Sequence, residues 1–298
     1  MQNLTTTEYS EPQYVIPTPD ISRAHPETAA ALQKYFDAKN THSVENFMAH
    51  FAKDMIAYGD ATLGWIVPGW QVVYDTLVSL MPNWGTGRSY PTRILAGRNS
   101  AIVAMTDTPE LFGGEIHALA CVDLRDDVVV RWVDVWDSKT FDPSIITALT
   151  AHVQFYPLDF GETEIESSAE LEMAHACKRL HAALVNADTP LASLFAYDAV
   201  YEDMAARVQL IGRSTIAGFL DRVLEIAPFG PGAKLRHIVG GKTGGGYEWT
   251  GAAKSGVPRG VTALELDETG RISRLTTVYD SVRFGEANTR RLRDAVDG

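Results

Sequence analysis

Cysteine is nearly absent: Cys121 and Cys177 are the only two in 298 residues, and neither falls in a CxxC or CxxH pattern. That argues against a disulfide framework or a zinc site and leaves free, buried thiols as the expectation. Basic residues are also short, 26 Lys and Arg against 38 Asp and Glu, for a net charge of −12 and a pI near 5.1. Such a surface neither displaces the counterions of nucleic acid nor is drawn to an anionic membrane. No run of about 18 apolar residues occurs. The opening MQNLTTTEYSEPQYVIPTPD lacks the basic and apolar regions of a signal peptide. A soluble cytoplasmic protein is expected. What is present is 45% apolar residues, enough for one large core or two ordinary ones.

The phrases RWVDVWDSKTF (131–141) and RLTTVYDSVRF (274–284) lie 143 positions apart. The same offset pairs Tyr58 with Tyr201, Asp60 with Asp203, Gly69 with Gly212, Arg93 with Arg236, Gly97 with Gly240 and Gly113 with Gly256. FAKD (51–54) and FAYD (195–198) match at 144, implying a one-residue deletion. A period this long is not a solenoid; it predicts two copies of one domain. The expected boundaries are a tail over 1–24, a first domain over 25–141, a linker over 142–168, a second domain over 169–285, and a tail over 286–298.

Each copy opens with helical periodicity, in TAAALQKYFDAKN and ELEMAHACKRLHAALVNAD. A short second helix follows (SVENFMAHF, TPLASLF), then a third after the glycine (GWQVVYDTLVSLM, GRSTIAGFLDRVLEIA). Strand patterns come next: PTRILAG, SAIVAMTDT, EIHALACVDL and VVVRWVDVWD, answered by KLRHIVG, GGYEWTG, RGVTALELD and RISRLTTVYD. Helices followed by an antiparallel sheet predict an α+β fold with the helices on one sheet face. The linker has room for a helix of its own, in PSIITALTAHV.

Three helices, a bent sheet and the phrase F-A-x-D…Y-x-D…G resemble the nuclear transport factor 2-like superfamily, the cone-shaped fold of ketosteroid isomerases, limonene epoxide hydrolases, scytalone dehydratase and SnoaL-like cyclases. Function in such a superfold lives in the pocket. The resemblance places Asp60 at the general base of the isomerase subgroup and Tyr35 near its oxyanion-holding tyrosine. That subgroup's second oxyanion group would fall near Ala118, with His117 adjacent but directed to the opposite sheet face. WVDVWD resembles the W-x-D-Y-x-D phrase of the epoxide hydrolases, placing Asp134 on their catalytic acid. Their R-x-D partner reads Met105-Thr106-Asp107 here, so the Asp is present and the Arg is not.

Facing carboxyls in an apolar pocket cannot both ionise cheaply; one pKa rises and the other falls, which supplies an acid and a base together. Asp60, Asp107, Asp134 and Tyr35 are therefore the candidate catalytic groups. Trp65, Phe112, Trp132, Trp136 and His117 are the candidates for binding substrate. Each has a plainer reading: Asp60 as a turn residue, Asp107 as a strand end before Thr-Pro, Asp134 as decoration if it faces solvent, and the aromatics as core. In the second copy the offset puts Thr277 at Asp134, Thr250 at Asp107 and Arg179 near Tyr35. Asp203 and Glu248 remain as candidates there.

The expected function is cofactor-independent, metal-free acid/base chemistry on a hydrophobic small molecule: a cyclase, isomerase or dehydratase with its site in the first domain. Epoxide opening and a non-catalytic ligand-binding or docking module are the alternatives. The two copies are expected to pair as an internal pseudo-dimer, with room for further homo-oligomerisation.

Overall fold

The computed structural model describes residues 16–187 and 189–297. A first unit is built from β1 (Asp20–Ala24), α1 (Pro26–Lys39), α2 (Val44–Met48), β2 (Ala57–Asp60), β3 (Trp65–Pro68) and α3 (Gly69–Leu80). Then follow β4 (Ser89–Ala96), β5 (Ser100–Asp107), the one-turn α4 (Pro109–Phe112), β6 (Ile116–Arg125) and β7 (Val128–Trp136). The segment between the units carries α5 (Pro143–Leu149). A second unit repeats the order: α6 (Leu171–Asn186), β8 (Phe195–Asp203), β9 (Val208–Ile211), α7 (Arg213–Val223), β10 (Lys234–Gly240), β11 (Gly244–Thr250), β12 (Gly260–Leu266) and β13 (Ile272–Tyr279). It closes with α8 (Ser281–Phe284) and α9 (Glu286–Asp294).

The two sheets run β1-β4-β5-β6-β7-β2-β3 and β10-β11-β12-β13-β8-β9. Neither is purely antiparallel, as the strand pattern had suggested: β2 lies parallel to β7, β8 to β13 and β1 to β4. A parallel neighbour needs a long crossover, and the elements from β3 to β6 supply it for β2 and β7. Strand β1 falls in the expected tail, where it pairs with β4 at the sheet edge; residues 1–15 of that tail lie outside the described residues. The second short helix of the second unit is a single 3-10 turn, Leu191–Ser193, and FAYD begins β8 rather than preceding a strand. The C-terminal stretch folds as α9, with Leu292 fully buried.

Helix α1 starts at Pro26, whose fixed φ and missing N–H suit the first turn. Its buried stripe runs Thr28, Leu32, Tyr35, Phe36 and Lys39, the three- and four-residue spacing of one helix face. This stripe packs on one face of the first sheet, with Val103, Ala120 and Trp132. The opposite face, with Ile102, Leu119, Cys121, Val133 and Val135, packs on Val239, Val261, Ala263 and Val278 of the second sheet.

The repeated DS of the two phrases meets across this contact. Asp137 Oδ1 accepts from Ser281 N at 2.9 Å and Ser281 Oγ at 2.7 Å. Asp280 Oδ1 accepts from Ser138 N at 3.3 Å and Ser138 Oγ at 2.8 Å. Each unit thus caps the other's turn, the reciprocity of a two-fold interface. Gly97 and Gly240 also meet: a Cβ on Gly97 would lie 2.7 Å from the Gly240 carbonyl oxygen, so the backbones cross only because side chains are absent.

Buried ions complete the contact. Arg131, fully buried, donates to Asp123 at 3.2 Å, to Glu248 at 2.6 Å and to the Phe160 carbonyl at 2.9 Å. Asp123 also bonds His237 at 2.9 Å, and Glu162 pairs with Arg236 and Arg259.

Candidate active site

Between the helices and the inner sheet face of the first unit lies a cavity of about 340 Å³. Of the predicted residues, Asp60, Asp107, Asp134, Trp65, Phe112 and Trp136 line it. Register explains the meeting of the first and third: Asp60 on β2 is the direct parallel partner of Asp134 on β7. Adjacent strands are about 4.8 Å apart with paired side chains on one face, so the two carboxyls stand side by side. Asp107 arrives on the same face from the end of β5, two residues beyond Met105.

The environments of the pair differ. Asp60 is partly exposed to the cavity and accepts from Leu63 N at 2.8 Å and Trp136 Nε1 at 3.1 Å. Burial raises its pKa against these donors, to about 6. Asp134, 7% exposed, has one side-chain donor, Trp132 Nε1 at 3.1 Å. Burial and, second, the adjacent Asp60 carboxylate hold its pKa well above the usual carboxylate range. Fewer donors and a like charge leave Asp134 the group that keeps its proton. Asp60, whose ionised form is better solvated by the protein, is the one that gives it up.

Asp107 is not part of a bare acidic pair. Lys39, at the end of the α1 stripe, reaches it at 3.3 Å and also donates to Ser89 Oγ at 3.0 Å, with both Lys39 and Asp107 buried. The Lys39 ammonium lies 5.8 Å from the Trp84 ring centre. Sequence reading missed this lysine while noting the absent arginine. The signal was available: a lysine in register with Leu32, Tyr35 and Phe36 on a buried stripe demands a partner.

Four predicted residues lie elsewhere. Tyr35 is packed behind the cavity wall, stacked on Trp132 at 4.7 Å, and its hydroxyl does not line the cavity. Trp132 is itself fully buried between Tyr35 and Tyr58 and acts on the site through its hydrogen bond to Asp134. His117 is on the opposite sheet face, bonded to Thr106 at 3.1 Å and Glu115 at 2.7 Å, beside a separate cleft of about 940 Å³ between the units. Glu248 is in the buried ion cluster between the sheets, not in a pocket of the second unit.

Asp203 holds the register of Asp60, opposite Thr277, and accepts from Ala206 N at 2.7 Å and Tyr279 OH at 3.1 Å. Burial raises its pKa to about 6. Strand pairing also revises two equivalences. The row Met105–Ala118–Trp136 corresponds to Trp249–Gly260–Tyr279, so Gly251 rather than Thr250 stands at Asp107. Counted from the helix starts, Leu180 rather than the exposed Arg179 stands at Tyr35, and Leu184 stands at Lys39.

Among the described residues, no cluster of three or more His, Cys, Asp or Glu is placed to hold a metal, and no helix is long and apolar enough to cross a membrane. No family model matches the chain, and no curated protein matches it. Solved structures do. A protein provisionally described as a ketosteroid isomerase, from Kribbella flavida, is 25% identical over 43% of this chain and 90% of its own, with a TM-score of 0.33. A steroid delta-isomerase of Pseudomonas aeruginosa is 18% identical over 45% and 100%, with a TM-score of 0.36. An NTF2-like protein of unknown function from Burkholderia xenovorans is 15% identical over 43% and 95%, with a TM-score of 0.32.

Proposed function

We propose that the chain is a tandem pair of NTF2-like cones, and that the first cone is an acid/base enzyme moving protons on an apolar small molecule. The observation that carries this reading is the Asp60–Asp134 pair, side by side in an apolar cavity. Burial raises both pKa values, rather than raising one and lowering the other, but unequally: Asp60 to about 6 and Asp134 well above the usual carboxylate range. Asp60 is the base and protonated Asp134 the acid, the division expected when environment separates two carboxyls. Isomerisation, dehydration and ring closure all use such a pair. The second cone is the partner that buries the outer sheet face.

The test is α-proton exchange of 2-tetralone in D2O, followed by mass spectrometry above the uncatalysed rate. Asp60→Asn and Asp134→Asn each lower the catalysed rate by a factor of about 10² or more, the usual share of a positioned acid or base. Asp203→Asn has a much smaller effect; the reverse ranking moves the chemistry to the second cone. Tight binding of the ketone without exchange would make the cavity a ligand-binding module.

A further inference from the structure

Burying an ammonium costs several kcal/mol unless it is paired, and a paired ion buried in a core is seldom better than two apolar side chains of the same volume. The Lys39–Asp107 pair therefore needs a reason beyond holding α1 to β5. The second unit sharpens the point: it builds the same helix-on-sheet contact with Leu184 and Gly251 at those places, and the fold does not require the ions.

A lysine ammonium has three N–H groups. Asp107 takes one and Ser89 another; beyond these the ammonium has the Trp84 ring, 5.8 Å away, and no third oxygen acceptor among the described residues. Lys39 nevertheless lines the cavity that holds Asp60 and Asp134. We propose that Lys39 anchors the substrate's carbonyl oxygen, that Asp107 positions Lys39, and that the substrate is a neutral, enolisable ketone or aldehyde of one or two rings. This rests on the acid/base reading above and names its substrate class. Charge selects the neutral class. Lys39 is already balanced by Asp107, so a permanent carboxylate would meet Asp107 and Asp60 unopposed. An oxygen that gains charge only in the reaction meets Lys39 at that moment.

The step balances within the site. Asp60 takes the proton from the carbon next to the carbonyl, the C–H pair becomes the new C=C bond, and the carbonyl π pair moves to the oxygen beside Lys39. Return of a proton from Asp60 or Asp134 to carbon completes the exchange.

Two variants test it: Lys39→Met with Asp107→Leu, which removes the pair as a unit, and Lys39→Arg, which keeps the charge. The first readout is the infrared C=O stretch of bound 2-tetralone. It is expected at lower frequency in the wild type than in the Met/Leu variant, with Lys39→Arg restoring part of the shift. The second is exchange, expected to fall about 10²-fold in kcat with KM changed far less, as for loss of one donor to a developing oxyanion. Naphthalene, which lacks the oxygen, is expected to bind all three proteins equally. An unchanged stretch and an unchanged kcat in a folded Met/Leu variant overturn the anchor while leaving the acid/base reading intact. A Lys39-dependent stretch without any exchange keeps the anchor and removes the acid/base reading. Tighter binding of 2-naphthoate than of 2-tetralone overturns the substrate class, and failure of the wild type to bind either naphthalene or 2-tetralone overturns both.

Discussion

The two units share strand order and register, yet the space over the inner sheet face is hollow in one and filled in the other, whose groove of about 350 Å³ lies instead between α6 and α7. At matching positions the first has Val103, Met105, Ala118 and Trp136, and the second has Tyr247, Trp249, Gly260 and Tyr279. Trp249 lies over Gly260 so closely that a Cβ there would sit 2.1 Å from its ring. The Trp249 indole N–H reaches Thr262 at 3.0 Å, and Thr262 meets Thr277, the residue in the place of Asp134. The second unit therefore spends its interior on close packing and hydroxyl pairs. The first keeps an empty space and pays with buried carboxyls and a lysine. Buried ionisable groups are the costly choice even when paired, and the substrate proposed above would give them a use.

The sharpest way to break this contrast is to fill the first cone in the manner of the second. Met105→Trp with Ala118→Gly is expected to eliminate naphthalene binding and 2-tetralone exchange while the protein still folds cooperatively. Retained binding would mean that the cavity lies elsewhere.

The ion clusters offer a second comparison. Arg131 and Arg274 are equivalent by the repeat, but Arg131 is sealed between the sheets whereas Arg274 is about a quarter exposed, paired with Glu202 at 3.4 Å. Arg131→Met leaves Asp123 and Glu248 short of a buried partner and is expected to cost about 3–5 kcal/mol in urea unfolding. Arg274→Met is expected to cost about 1 kcal/mol or less. Equal losses would show that the 940 Å³ cleft beside Arg274 is closed in solution.

A third comparison concerns pH. Asp60 and Asp203 both have folded pKa values raised to about 6 from 3.8. The folded state then holds more protons than the unfolded one between those values, so this contribution is complete below about 3.8 and is lost as pH rises through 6. Asp60→Asn and Asp203→Asn should each gain stability relative to wild type from pH 4 to pH 7, on the order of 2 kcal/mol. Stability does not distinguish the two aspartates; only exchange does. A flat difference across that range would contradict the raised pKa values.

Much of this architecture was readable from residues. The fixed offset implied two units, the helix stripe and strand patterns gave the elements, and Asp60, Asp107 and Asp134 do share one cavity. The misplaced equivalences in the second unit have a common cause. A constant offset of 143 carried onto β11 places Glu248 at Met105, facing inward, but strand pairing requires 144 there, which puts Glu248 at Ala104 on the outer face. Side chains alternate along a strand, so a slip of one residue exchanges pocket for interface. Lys39 was missed for a different reason: the gap in the R-x-D phrase directed attention to the strand, while the cation came from a helix 68 positions away.

By itself, the amino-acid order determined what is local or periodic: where the longer helices and the four later strands of each unit run, which face of α1 is apolar, and that one pattern occurs twice. Tertiary structure alone decided which Asp pairs with a lysine and which with another Asp, that one cone is open and its twin packed shut, and that each DS phrase caps the other. Those outcomes depend on register and on distances between strands remote in sequence, where a single ångström separates a hydrogen bond from a buried charge without a partner.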